Sequence, residues 1–201
     1  MNQTNINQLV LNFKKSRDNI LYMIIFTSIN LVLTIANAGV YLLFSATAPL
    51  FSLTLGQALN ESLSSNIYVI IGLIIALIMV AIYLACWHYA NRKRGLILVA
   101  FIFFIIDTLL LTFLVFVEGF DQSYILDIVF HVWILYYLYI GTMAWAKLRK
   151  TNNDEFNTIL NKLTVTEAKL LSQIDEPAAP AKTKKSKKDN SKSENKKTLI
   201  L

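Results

Sequence analysis

From Asn19 to Ala146 the chain carries only three basic residues, and they are consecutive: Arg92, Lys93 and Arg94. So long a stretch with so little positive charge cannot be arranged as an ordinary soluble domain. Apolar residues make up 55% of the 201-residue chain and charged residues 16%, where about a quarter is usual. Lipid is therefore the expected solvent for this body. The last 51 residues are different and hold 10 Lys.

A helix needs about 20 apolar residues to cross a bilayer core of about 30 Å. Four stretches meet that length: about 19–44, 67–89, 95–117 and 124–146. They lack the alternation of membrane strands. The fold class expected is an all-α membrane protein. It would be a four-transmembrane-helix bundle (19–146) with a cytoplasmic amphipathic segment (1–18), a cytoplasmic amphipathic helix (147–176) and a disordered Lys-rich tail (177–201).

Orientation follows from Lys and Arg placement. Lys14, Lys15 and Arg17 precede the first stretch, Arg92, Lys93 and Arg94 join the second to the third, and Lys147, Arg149 and Lys150 follow the fourth. The connections Ser45–Asn66 and Glu118–Ser123 hold no Lys or Arg. All nine cations then fall on one face, which predicts both ends in the cytoplasm of a cell membrane. Trp87, Tyr89, Tyr124 and Trp145 stand at span ends, where interfacial aromatics belong. Residues 14–38 also fit a signal peptide, ending in Ala36-Asn37-Ala38. The apolar run through Val40–Phe44 favours a membrane anchor instead.

Outside the spans, Ile6, Leu9, Val10 and Phe13 share helical spacing, which fits a short helix on the inner surface or a frayed terminus. The segment around Phe44–Phe51 is more apolar than a loop requires, and Pro49 stops it from extending the first helix. An interfacial loop is expected there, with a re-entrant loop as the alternative. Thr151-Asn152-Asn153-Asp154 resembles a capping box with Asp in place of Glu. Phe156, Ile159, Leu160, Leu163, Leu170, Leu171 and Ile174 then mark one helical face.

Ionisable groups in a membrane helix are expensive and face the bundle interior. Asp107 falls near mid-membrane on the third span. Asp127 and His131 are four residues apart on the fourth, so they share a face. Depth arithmetic brings His131 within about 6 Å of the Asp107 level. Asn37 falls at a similar depth, with Asn30 deeper. The sequence thus predicts a polar cluster of Asn37, Asp107, Asp127 and His131.

Recognisable catalytic chemistry is missing. There is no phosphate-binding loop, dinucleotide fingerprint, H-E-x-x-H, C-x-x-C or G-x-S-x-G. No catalytic residue, metal site or cofactor is expected. Cys86 stands alone, so no intrachain disulfide forms.

The stretches Phe103-Phe104-Ile105-Ile106-Asp107-Thr108-Leu109-Leu110 and Leu126-Asp127-Ile128-Val129-Phe130-His131-Val132-Trp133 resemble small, uncharacterised integral membrane proteins of low-GC Gram-positive bacteria. The Ile-, Lys- and Asn-rich composition agrees. That resemblance implies a cell-membrane location and carries no activity. The expectation is a non-enzymatic scaffold, accessory or regulatory subunit. The alternative is a transporter or channel subunit using the Asp/His cluster. Expected partners are the lipid bilayer, anionic inner-leaflet lipids, and a second copy or a larger membrane complex. Nucleic acid is the weaker account of the net charge of +6.

Overall fold

The computed structural model describes residues 3–119, 122–149 and 151–174. These form six helices: α1 Gln3–Ile35, α2 Thr47–Leu63, α3 Ile67–Tyr89, α4 Leu96–Glu118, α5 Gln122–Leu148 and α6 Asn153–Ile174. No strand occurs among the described residues. Four helices are long and apolar enough to cross a membrane: α1, α3, α4 and α5. Asp121, Lys150, residues 177–201 and the side chains of Leu170, Leu171 and Ile174 lie outside what is described. The chain divides into two compact units, 1–164 and 165–201. In the second, the described residues are the last turns of α6, with Val165 exposed.

The spanning helices show apolar side chains on their outer as well as their inner faces. Ile70, Ile74 and Ile78 on α3, and Ile106, Leu109 and Phe113 on α4, are all exposed. A helix that is hydrophobic all round suits a lipid surround. The inner faces meet through small residues. A Cβ on Gly141 of α5 would lie 2.3 Å from the Ser16 side chain on α1. One on Gly56 of α2 would lie 2.5 Å from the Tyr68 carbonyl oxygen, and one on Gly72 of α3 2.4 Å from that of Ser52. Main chains pack closely at both places, as small residues allow in membrane bundles.

The first span ends earlier than its composition suggests. The Ala38 N–H donates to the Leu33 carbonyl at 3.1 Å and the Asn37 N–H to that of Thr34 at 3.2 Å. Asn37 has φ 49°. This is a Schellman stop with Asn in the left-handed position. The expected continuation to Phe44 is therefore wrong. Val40–Phe44 is not part of a helix, so it does not lengthen the anchor.

At the other end, α1 starts at Gln3 rather than near Asn19, so its first turns are continuous with the span and not a separate surface helix. Their apolar face is buried in protein. Phe13 meets Phe156 of α6 edge to face at 5.4 Å, and Val10, Leu148 and Leu160 complete the cluster. The α6 start also differs by one residue. The Asn152 side chain, not Thr151, accepts the Asp154 N–H at 3.3 Å.

Candidate functional site

The segment between α1 and α3 builds the site. After Ile35 the chain folds back along α1 and begins α2 at Thr47, beside Asp107. Asp107 lies eleven residues from each end of α4, about 17 Å along the helix either way. Helix α2 therefore starts at the middle of the bundle. It then packs antiparallel against the first half of α3 through Gly56 and Gly72.

A helix start leaves four N–H groups without helical partners. Here each is accounted for. The Ala46 N–H donates to Thr27 Oγ1 at 2.8 Å. The Thr47 N–H donates to Asp107 Oδ2 at 3.0 Å, and the Ala48 N–H to Asp107 Oδ1 at 2.6 Å. Pro49 has no N–H to satisfy. Asp107 is thus an N-cap supplied by another helix, and its two oxygens face the positive end of the α2 dipole.

The irregular backbone before α2 is held by α1. Asn30 Oδ1 accepts the Leu42 N–H at 2.8 Å, while its Nδ2 donates to the Leu42 carbonyl at 2.6 Å and to Ser45 Oγ at 3.0 Å. Asn30 has one acceptor and two N–H donors, and all are engaged. Phe44, at φ 74°, stands between Phe26 and Phe130, with centroids at 6.1 and 5.3 Å. Positive φ is costly for a bulky residue, and these rings fix it in place.

His131 completes the cluster from α5. Its Nδ1 lies 2.8 Å from the Asp127 carbonyl oxygen, which can only accept, so Nδ1 carries a proton. Its Nε2 lies 3.1 Å from Asp107 Oδ2 and 3.2 Å from Thr47 Oγ1. Both side chains are almost wholly buried, and Nε2 serves Oδ2 and Thr47 Oγ1 as donor or acceptor according to the ring's tautomer or charge state. The ring stacks on Phe104 at 5.1 Å and 17°.

Of the four residues expected to cluster, Asp107 and His131 are in direct contact. Asp127 hydrogen-bonds His131 through its main-chain oxygen, and its half-buried carboxyl group reaches the ring only electrostatically. Asn37 does not belong. It is exposed and ends α1. Thr27, Ser45 and Thr47 do not figure in the expected cluster and Asn30 stands outside it, because each acquires its role only where the chain turns back. Among the described residues no group of three or more His, Cys, Asp and Glu could hold a metal ion.

The basic flanks form a second constellation. The Arg17 guanidinium donates to Asn91 Oδ1 and lies 5.5 Å from the Trp87 ring centre. Arg94 donates to the Leu148 and Thr151 carbonyls and to Asn153 Oδ1 at 2.8–2.9 Å. It also lies 4.9 Å from the centre of Phe156. Burial pushes the Arg94 pKa down from its ordinary value, yet a guanidinium stays charged. Lys14 pairs with Asp18 at 2.8 Å, and Arg149 lies over Trp145. Lys15, Arg92, Lys93 and Lys147 are exposed. Several of these cations therefore fasten helix ends to one another besides lining one end of the bundle.

No protein-family model, curated protein or solved structure matches this chain.

Proposed function

We infer that this is a multi-pass protein of a cell membrane, non-enzymatic, acting as a scaffold, accessory or regulatory subunit. Its bundle crosses the bilayer four times, and α2 is a re-entrant helix that enters and leaves from one side. Both chain ends lie in the cytoplasm. The positive-inside rule supports that orientation, because Arg17, Arg94 and Lys147 share one end of the bundle. Irregular backbone at membrane depth needs shielding by protein, and Thr27, Asn30 and Asp107 provide it.

One observation carries the non-enzymatic reading. Both oxygens of Asp107 are taken by main-chain donors of α2, and His131 is held from two sides. The pair is committed to holding a fold element in place. The Lys-rich composition of 177–201 suits an acidic partner or the anionic inner leaflet.

A second reading has its own support. A half-helix starting at mid-depth beside an ionisable pair is how broken-helix transporters build ion sites. Transporter or channel subunit is accordingly the alternative. Proteoliposomes loaded with a pH-sensitive dye and, separately, with a thallium-sensitive dye separate the two. The accessory reading predicts leak equal to that of empty vesicles. Flux above that level which disappears in Asp107→Asn at equal incorporation would establish transport instead.

A further inference from the structure

The seam between α1 and α5 at the basic end is polar where lipid-facing helices are usually apolar. On α1, Asn5, Gln8, Asn12 and Lys15 follow one another at three- and four-residue spacing, so they share a face. Gln8 Nε2 donates to Asn12 Oδ1 at 3.1 Å. This row borders two cavities. One, of about 380 Å³, is lined by Asn5, Gln8, Leu9 and Lys147. The other, of about 170 Å³, is lined by Asn12, Lys15, Tyr136, Tyr137 and Ile140.

Among the described residues the two linings together contain two ammonium groups and no carboxylate. Asp18, the carboxylate nearest Lys15 in sequence, is bonded to Lys14. Directly beyond Tyr136 on α5, Val129, Val132 and Trp133 are exposed on the same helical stripe. A cationic notch with hydroxyls thus opens onto a bare apolar face. The seam also lies at the level where Trp145 packs on Gly95, beside the Arg92–Arg94 turn, which suits a headgroup layer.

We propose that this seam is a binding site for an anionic phospholipid of the cytoplasmic leaflet. The phosphate sits between Lys15 and the Tyr136 and Tyr137 hydroxyls. The rest of the headgroup reaches past Gln8 toward Lys147, and an acyl chain lies along Val132 and Val129. Charge complementarity fits any anion, and the polar-to-apolar order of the lining selects one that carries an acyl chain. The inference rests on the membrane-spanning reading above.

The full-length protein is placed in nanodiscs of equal phosphatidylglycerol and phosphatidylcholine, released, and its retained lipid counted by native mass spectrometry. The expected result is retention of phosphatidylglycerol over phosphatidylcholine. Lys15→Gln and Lys147→Gln should each lower that preference roughly fivefold. Tyr136→Phe with Tyr137→Phe removes only hydroxyls and should lower it as well. Arg92→Gln with Lys93→Gln, which changes the exposed turn, should leave it intact. Equal retention of the two lipids by the wild type would overturn the site. So would a loss in the turn variant as large as in the seam variants, or displacement of the lipid by millimolar glycerol phosphate. A chain that stays monodisperse without detergent would instead overturn the membrane reading beneath it.

Discussion

Replacing Asp107 with Asn exchanges one acceptor oxygen for an NH₂ group where three donors converge. Two of these are the Thr47 and Ala48 N–H groups, and the third is His131 Nε2 in the tautomer or charge state that donates. If the new NH₂ faces His131, it also meets the Thr47 N–H. If it is flipped, it meets the Ala48 N–H. One buried N–H is left unsatisfied in both cases, at a cost of about 1–3 kcal/mol. Were all of that cost felt at the α2 start, its local opening would become about 5- to 150-fold more frequent. Asp107→Ala leaves both amides unsatisfied, for about twice the loss. Hydrogen exchange of the 46–51 segment in detergent micelles reads this directly. Asp127→Asn is the contrast, since Asp127 meets His131 through its main chain, and it should exchange like wild type. Equal exchange in Asp107→Asn and wild type would refute the capping argument. So would loosening by Asp127→Asn to the same degree as by Asp107→Asn.

Other outcomes follow from the same contacts. Asn30→Ala removes three hydrogen bonds from 42–45 and should make the 36–46 segment at least tenfold more sensitive to protease in micelles. Gly141→Ala should lower the melting temperature because its Cβ collides with Ser16, and Ser16→Gly should restore it, since the next neighbour is Ile97 at 3.5 Å. Gly72→Ala meets the Ser52 main-chain oxygen instead and should have no single-site rescue. Arg94→Lys loses the planar fork that joins the Leu148 and Thr151 carbonyls to Asn153, so α6 should fray by about 1–2 kcal/mol, visible as faster exchange from residue 153 onward.

The parts legible in the sequence were those set by solvent and by charge. Four long apolar helices follow from composition, and three of the four have ends within about two residues of the expected ones. The meeting of Asp107 with His131 followed from the cost of ionisable groups in lipid together with depth arithmetic. The return of the chain did not. Hydropathy reports what surrounds a residue and says nothing of backbone direction, so Val40–Phe44 read as more of the same helix. Asn37 was the available signal, since Asn before Ala-Gly is a candidate left-handed stop. Taken as an intramembrane polar group it gives no stop, and the expected helix end then falls nine residues late. Ser-Ala-Thr-Ala-Pro at 45–49 carried the second signal, a helix start with proline in its first turn. Thr27 and Asn30 were ordinary membrane-helix residues until that start came to lie against them.

In the proposed topology α2 is reached from the side opposite the Arg92–Arg94 turn and begins at mid-depth on Asp107. Single cysteines in a Cys86→Ser background, labelled in intact cells with a membrane-impermeant maleimide, test it. Ser62→Cys should label from outside, Arg92→Cys only after the membrane is opened, and Thr47→Cys slowly under both conditions. Labelling of Thr47→Cys as fast as Ser62→Cys in intact cells would contradict it, as would Ser62→Cys and Arg92→Cys reacting from the same side.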